Sequence, residues 1–250
     1  MMPLVGESTS KIVSGAHPQW ASDFPDQAGA PKPSLSQQAY QRIYRRIMTL
    51  SYAPGQRLEE KQLVAELEIG RTPVREALMR LADDFMVETH PHKGAVVRPV
   101  SLPNTRAVFS ALRILECGVA ELAVQAENSN NLVEMATANR AIRSAMQANE
   151  LVEMVSYNSR FHHFYARCGH NGYLVNALHK VRCETNRLAY LSYGTEVDSE
   201  RTLRTHYRSV IEEHDRIIDA VENRNLDHLT ETIIGHIHAF QQRIVQYMTT

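Results

Sequence analysis

The sequence predicts a mainly α-helical chain, with a winged helix-turn-helix N-terminal domain followed by an all-helical bundle of six to seven helices. Apolar residues recur at helical spacing through most of the chain. The one stretch that alternates like paired strands follows three short helical segments. A length of 250 residues leaves room for two domains of ordinary size.

The first 35 residues differ in composition from the rest of the chain. They are rich in Pro, Ser, Gly and Ala and show neither a helical nor a strand period. A segment of this kind buries too little apolar surface to fold by itself. We therefore expect a flexible N-terminal tail at 1–35, a first domain at 36–100 and a second domain at 101–250.

Three helices are expected in the first domain. Apolar side chains at helical spacing mark them near residues 40–50, 63–67 and 74–81. Pro73 fits the first turn of the third helix, where a missing backbone N–H removes no helical hydrogen bond.

A β-hairpin is expected directly after these helices. Residues 87–90 and 95–98 alternate like strands, and the segment from Pro91 to Gly94 between them has the residue types of a turn. Three helices followed by a small hairpin form a winged helix-turn-helix.

The second domain is expected to be almost entirely helical. The linker from Ser101 to Asn104 offers a capping side chain for the first of its helices. Gly and Asn residues separate six apolar-periodic segments, near 104–127, 130–149, 150–169, 171–192, 198–222 and 225–248. This order of elements is typical of a helical bundle.

Charge and cysteine content narrow the class of protein. The net charge is −1 and the segment 36–98 holds ten basic against eight acidic residues, so nucleic-acid binding would need a locally basic face. The three cysteines form no CxxC pair, which indicates neither a disulfide framework nor a thiolate zinc site. Without a secretory signal or a membrane-spanning run, we expect a soluble, cytoplasmic protein with no membrane contact.

Two arginines stand at the start of the third helix of the first domain. Arg71 and Arg75 are one helical turn apart, with Thr72 beside them. A helix-turn-helix presents this end of its recognition helix to base edges in the major groove, where arginine binds guanine with two hydrogen bonds. The alternative is that these arginines belong to a solvated charged face of the helix and pair with Glu66 and Glu76. The order of three helices followed by a hairpin favours DNA binding over this alternative.

Two parts of the chain carry a family resemblance. The stretch PGQRLEEKQLVAELEIGRTPVREALMRL, above all RTPVREALMRL from Arg71 to Leu81, resembles the GntR family of bacterial regulators. The remainder is similar to the FadR-type branch with its FCD effector domain, through the motifs Asn158-x-x-Phe161-His162, Glu213-His214-x-x-Ile217-x-x-Ala220 and His236-Ile237. The family usually has Gly where Phe85 stands, so we expect the chain to bend differently there.

The resemblance implies a ligand-responsive transcriptional regulator rather than an enzyme. It implies a homodimer that binds a near-palindromic double-stranded DNA operator, most commonly as a repressor that its ligand releases. In this reading two arginines read bases, other residues hold phosphate, and the wing tip enters the minor groove. The implied DNA-binding residues are Arg57, Lys61, Arg71, Thr72, Arg75, Lys93 and Gly94.

Four residues of the second domain could converge on a metal ion. Asn158 and His162 lie on one face of one helix. His214 and His236 are each 11 positions from the turn residue Asn225, so two antiparallel helices would place them at similar depth. In the resemblance these four are the ligands of a divalent metal ion, Zn, Ni or similar. The alternative is a set of ordinary helix histidines, which is the interpretation we keep for the remaining histidines of this domain.

The ligand set suggests the chemistry of the effector. The family mostly has Asp where Asn158 stands, and without that carboxylate the metal keeps its full positive charge. We therefore expect a small carboxylate or sugar acid as effector, with Arg113 as a basic neighbour. Two rivals remain: a regulator that responds to metal alone, and a metalloenzyme fused to a DNA-binding domain. Against the enzyme, we expect Glu213 to point away from the ligands, which leaves no evident general base.

Overall fold

The computed structural model describes residues 32–90, 94–193 and 200–249. Within these ranges the elements follow the order α1, β1, α2, α3, β2, β3 and then α4 to α9. Most of the expected tail at 1–35 and the wing-tip residue Lys93 lie outside the described residues. No described helix is both long enough and apolar enough to cross a membrane.

The N-terminal unit, residues 35–97, is built on three helices. α1 begins with a capping box, in which the Ser34 side chain accepts from the Gln37 N–H while the Gln37 side chain accepts from the Ser34 N–H. Ile43 on α1 and Val74 on α3 are fully buried where these helices pack. Its elements are α1 Leu35–Met48, β1 Arg57–Leu58, α2 Glu60–Leu67, α3 Arg71–Asp83, β2 Val87–His90 and β3 Gly94–Val97.

The wing is an antiparallel sheet of three strands in the order β1-β3-β2. The β2–β3 hairpin confirms the sequence prediction, whereas the two-residue strand β1 was not predicted. Gly94 has a φ of +77°, and a Cβ added there would lie 3.0 Å from the Leu58 carbonyl oxygen of β1. The close approach of β1 and β3 therefore requires glycine at this position.

The expectation of a different bend at Phe85 is wrong. Phe85 itself adopts the left-handed conformation, with a φ of 60°. Its ring lies 5.4 Å from the Arg98 guanidinium carbon and 6.0 Å from Lys180 Nζ of the next domain. These cation–π contacts offset part of the backbone cost of placing a bulky residue there.

The helical domain, residues 102–249, contains the six helices that the sequence predicts, with bounds shifted by a few residues. The Ser101 side chain caps the first of them by accepting from the Asn104 N–H. Inside the bundle α5 packs along α6 and α4 along α9. The helices are α4 Leu102–Ala123, α5 Ser129–Ala148, α6 Leu151–Cys168, α7 Gly172–Tyr193, α8 Glu200–Glu222 and α9 Leu226–Thr249.

The N-terminal unit docks on α7 of the helical domain. Cys183 of α7 is buried against the apolar core of the N-terminal unit. Asn186 Nδ2 donates to the Tyr44 hydroxyl at 3.1 Å, and Lys180 pairs with Asp83 at 2.8 Å. One helix of the bundle thus carries contacts to both α1 and the end of α3.

Candidate DNA interface and metal centre

The N-terminal end of α3 presents its basic side chains to solvent. The Arg71 and Arg75 side chains are 73% and 61% exposed, and Thr72 is exposed between them. One carboxylate holds both arginines, because Glu60 lies 3.0 Å from Arg71 Nε and 3.1 Å from Arg75 Nε. The guanidinium groups are therefore oriented by α2 and remain exposed to solvent.

The pairing with Glu66 that the alternative interpretation assumed is absent. The Glu66 carboxylate accepts from Arg46 at 2.7 Å and from the Tyr52 hydroxyl at 2.6 Å. It is engaged inside the N-terminal unit, away from the arginines of α3.

The remaining predicted DNA contacts lie on neighbouring elements. Arg57 on β1 and Lys61 in the first turn of α2 are exposed. Gly94 is exposed at the start of β3, against Leu58 of β1. The structure leaves these described residues accessible, and their contacts with DNA stay predictions.

Three histidines from three helices meet inside the bundle. His162 of α6, His214 of α8 and His236 of α9 are buried, and one nitrogen from each lies within 4.8 Å of the others. Their ring centroids are 5.1 to 5.2 Å apart. These residues, which we call the histidine triad, are the three histidines of the four-residue metal set expected from the sequence, and the role of the fourth residue, Asn158, stays a prediction.

A hydrogen bond sets the orientation of His214. The Asn139 side-chain amide donates to the Ile211 carbonyl and to Asp215, so its Oδ1 faces His214 Nδ1 at 3.1 Å as an acceptor. His214 Nδ1 therefore carries the proton and Nε2 has a free lone pair. Phe161 stacks on the ring with centroids 3.7 Å apart and holds its plane.

His236 is oriented by a carboxylate that the sequence interpretation had directed elsewhere. Glu213 Oε2 lies 2.6 Å from His236 Nδ1, so the expectation that Glu213 points away from the triad is wrong. The two residues lie on neighbouring antiparallel helices, and a half-buried glutamate is long enough to span them. The Glu213 carboxylate accepts a hydrogen bond from the Nδ1–H of His236, which leaves His236 Nε2 available as a metal ligand.

An ion pair that the sequence did not reveal lies against His162. Glu116 of α4 contacts the Arg182 guanidinium of α7 and lies 3.5 Å from His162 Nδ1. Arg182 Nη2 also donates to His162 Nδ1 at 2.7 Å. Burial opposes ionisation of Glu116, but the adjacent charge of Arg182 outweighs it and lowers the pKa of the carboxyl to about 2.

Two properties of His162 and His214 suit the binding of a metal ion, namely that their rings are uncharged and that each has a buried nitrogen without a hydrogen-bond partner among the described residues. Burial, and then the Arg182 charge, lower the pKa of His162 to about 3, while burial and the neighbouring His162 place the pKa of His214 well below its usual value. Both imidazoles are therefore neutral near pH 7. Their Nε2 atoms are buried and lack a hydrogen-bond partner among the described residues. Neutral imidazoles favour Zn, Cu, Ni or Fe. His214 Nε2 is free to bind such an ion, whereas His162 Nε2 carries the ring proton as long as Arg182 donates to Nδ1.

Two cavities adjoin the triad. A cavity of about 40 Å³ is lined by Asn158, Arg182, His206 and His236, among others. A larger one of about 340 Å³ runs from His162 and Arg182 to α1 of the N-terminal unit. Arg182 lines both, whereas Arg113 is exposed on α4 and lines neither. Arg182 is the basic side chain nearest the triad, and a role for Arg113 in effector binding stays a prediction.

The metal-free protein is expected to lose stability as the pH falls from about 7 to about 5. Below about pH 6.5 an unfolded chain protonates its imidazoles, whereas the folded chain keeps His162 and His214 neutral, so protons favour unfolding. Each imidazole should contribute a loss of about 2 kcal/mol over these two pH units, or about 1 kcal/mol per unit. Urea unfolding of chelator-treated protein at the two pH values measures this slope.

Substitution separates this effect from general acid sensitivity. His214→Phe should make the slope shallower by one imidazole's share, about 1 kcal/mol per pH unit. His228→Gln, at an exposed position on α9, should leave it unchanged. Equal slopes for the parent chain and His214→Phe would contradict the assignment.

Comparison with known proteins gives two family matches. The model of bacterial regulatory proteins of the gntR family matches residues 35–97, and the FCD domain model matches residues 107–239. The HTH-type transcriptional repressor RspR of Escherichia coli K12 is 25% identical over 201 residues, covering 80% of this chain and 88% of that protein. The regulator YdfH of Escherichia coli O6:H1 matches with the same identity and coverage.

A solved structure supports the same fold. Escherichia coli McbR/YncC superimposes with a TM-score of 0.73 at 19% identity, covering 85% of this chain and 98% of that one. The FCD match alone spans more than half of the chain, and the gntR match precedes it in the order that the two folded parts show. The chain therefore belongs to the GntR family of bacterial transcriptional regulators, in the FadR-type branch whose members carry an FCD domain.

Proposed function

We propose that this chain is a sequence-specific repressor that releases its operator when a small carboxylate or sugar acid binds its metal-containing helical domain. The observation that carries the proposal is the histidine triad, in which one nitrogen from each of three buried rings lies within 4.8 Å of the others, and in which His162 and His214 each have a buried Nε2 without a hydrogen-bond partner among the described residues. Arg182 connects that triad to α7, the helix on which the N-terminal unit docks. The active form is a homodimer, which places two recognition helices on a two-fold related operator.

The DNA-binding residues divide into two roles. Arg71 and Arg75 read guanine edges in the major groove, since both are exposed at the start of α3 and are held there by Glu60. Thr72 contacts phosphate or base. Phosphate contacts from other elements fix the register of the protein on the duplex and carry no sequence information. Those contacts come from Arg57 and Lys61, whereas Lys93 and Gly94 at the wing tip enter the minor groove or its edge.

Arg75→Ala is expected to lose operator selectivity, whereas Lys61→Ala weakens binding to all duplexes alike. Loss of a two-pronged guanine contact should reduce affinity for the operator by about 5- to 150-fold, corresponding to 1–3 kcal/mol, with little change on random DNA. An operator can be selected from random duplexes with the parent protein. Fluorescence anisotropy at fixed salt then gives the affinities.

A matched substitution controls for loss of positive charge. Arg140→Ala removes an exposed arginine from α5 of the helical domain and should change neither affinity. Equal losses on operator and random DNA for both Arg75→Ala and Lys61→Ala would refute this division of roles.

Asn158, His162, His214 and His236 would hold the divalent ion. The ion would supply an electrophilic centre that attracts the carboxylate of the effector. The direct ligands are uncharged, and the nearby Glu116 and Glu213 contact only the outer nitrogens of the imidazoles. Together with Arg182, a divalent ion leaves the site net positive, which favours an anionic effector.

Arg182 offers a route from the triad to the DNA-binding unit. For His162 to act as a ligand through Nε2, its Nδ1 must carry the proton, and Glu116 is the acceptor in reach. Arg182 then loses Nδ1 as an acceptor and keeps Glu116 alone. Because Arg182 lies on α7, a change in its contacts acts on the helix that carries the interdomain contacts.

One observation favours a second candidate, a regulator that responds to metal alone. The cavity beside Asn158 and His236 is small, about 40 Å³, and the larger cavity of about 340 Å³ reaches the triad only at His162. Operator release by metal salts alone would support this candidate. Release that requires both metal and an organic acid would support the proposed function. For an enzyme, neither Glu116 nor Glu213 offers a free base, since Glu116 is paired with Arg182 and Glu213 binds His236 Nδ1.

A further inference from the structure

We propose that Asp84, His179 and Cys183 form a second metal site, for Zn²⁺ or a similar thiophilic divalent cation, at the junction of the N-terminal unit and the helical domain. The proposal is independent of the histidine triad, because the two sites share no residue.

The three residues come from both sides of the junction. Asp84 is the C-cap of α3, the helix that carries the candidate base-reading arginines. His179 and Cys183 are one turn apart on α7 and project from the same face. Asp84 and Cys183 are buried, and one ligand atom from each of the three residues lies within 4.8 Å of the others.

The separations between ligand atoms match a tetrahedral centre. His179 Nε2 lies 3.4 Å from Asp84 Oδ1 and 3.7 Å from Cys183 Sγ. Zinc bonds of about 2.0 Å to oxygen or nitrogen and about 2.3 Å to sulfur imply ligand separations of roughly 3.3–3.6 Å around a tetrahedron. The site therefore needs only small side-chain movements to bind the cation.

The surroundings of the cluster suit a metal ligand set. The Tyr40 hydroxyl donates to Asp84 Oδ2 at 2.8 Å, which orients the carboxylate and leaves Oδ1 toward His179. A thiolate and a carboxylate neutralise a divalent cation, so the complete site carries no net charge to bury. His179 and Cys183 also line the cavity of about 340 Å³, from which water can supply a fourth ligand.

A cation at this site would join the end of the recognition helix to α7. It would favour the interdomain arrangement in which the three ligands meet, since a ligand stabilises the state that binds it. Cys183 directly follows Arg182, which contacts His162 of the triad. The proposed second metal site and the triad are therefore both connected to the same turn of α7. The competing interpretation is a metal-free ion pair between His179 and Asp84 with Cys183 as an apolar neighbour.

Cobalt titration of the metal-free full-length protein tests the proposal. Co²⁺ bound to a thiolate gives a charge-transfer absorption band in the near ultraviolet, and the histidine triad contains no sulfur ligand. The parent chain should develop this band, and in His214→Phe, where the triad is impaired, the band should saturate at about one ion per chain. Cys183→Ser should abolish it, while Cys117→Ser and His214→Phe should retain it. Absence of the band in the parent, or its persistence in Cys183→Ser, would overturn the proposal.

A second variant covers the case in which Cys183→Ser fails to fold. Asp84→Asn keeps the shape of the side chain and the α3 cap but removes the anionic ligand. It should weaken Co²⁺ binding at the thiolate site by at least about tenfold and leave helicity unchanged. Unchanged affinity in folded Asp84→Asn protein would also count against the site.

Discussion

The His162→Ala/His214→Ala protein is expected to lose one bound divalent ion per chain relative to the parent. Both residues offer a buried Nε2 without a hydrogen-bond partner among the described residues, and two ligands of four cannot hold the ion in competition with water. Elemental analysis of the two purified proteins measures the loss. The parent should also melt at a higher temperature, since an ion present at about 1,000 times its dissociation constant adds about 4 kcal/mol of stability.

The effects on DNA binding should be separate from the effects on metal. The double variant should still bind the operator, because the arginines of α3 lie in the N-terminal unit. It should no longer respond to an organic acid that releases the parent. His228→Ala, at an exposed position near the start of α9, is the control and should keep both metal and response. Equal metal content in the double variant and the parent would end the metal hypothesis for the triad.

Glu116→Gln is expected to be the most destabilising single substitution near the triad. The substitution leaves the guanidinium of Arg182 without its carboxylate partner, and Arg182 is only 8% exposed. Loss of one partner from a buried ion pair costs about 3–5 kcal/mol, because the remaining charge is neither solvated nor paired. Chemical denaturation of metal-free protein, followed by circular dichroism, measures the change in the free energy of unfolding.

Two further variants show whether the buried charge of Arg182 is the cause of the expected loss of stability. Glu116→Leu/Arg182→Met removes both charges and should recover most of the loss, within about 1–2 kcal/mol of the parent, because an apolar pair of similar volume can replace a buried ion pair. Glu59→Gln breaks an exposed pair with Arg57 and should cost less than about 1 kcal/mol. A small cost for Glu116→Gln, similar to that for Glu59→Gln, would show that Arg182 finds another partner or reaches water.

Local sequence patterns were sufficient for the fold class and for the positions of the helices. The helical period and the Gly and Asn residues between segments placed all six helices of the second domain to within a few residues. The same patterns placed the hairpin but not β1, because a strand of two residues is defined by its partner and not by its own sequence. The expectation that a bulky residue avoids the left-handed backbone conformation failed at Phe85, since contacts with Arg98 and Lys180 hold its ring there.

The convergence of His162, His214 and His236 could also be predicted. Helical spacing and a short turn between two antiparallel helices determine which residues lie at the same depth in a bundle, and both can be read from the chain. The side chains that orient these histidines could not be identified, because Asn139, Glu116 and Arg182 come from helices whose crossings depend on packing. The direction of Glu213 was mispredicted for the same reason.

The sequence by itself determined a winged helix-turn-helix joined to a helical bundle, with a basic recognition helix and with His214 and His236 at one depth. These features depend on periodicity and on residues close together in the chain. Only the tertiary structure decided that Arg182 would neutralise Glu116, that the N-terminal unit would dock on α7, and that Asp84 would meet His179 and Cys183. Such contacts join residues roughly 65 to 145 positions apart, and they form only when packing of the apolar faces fixes how the helices cross.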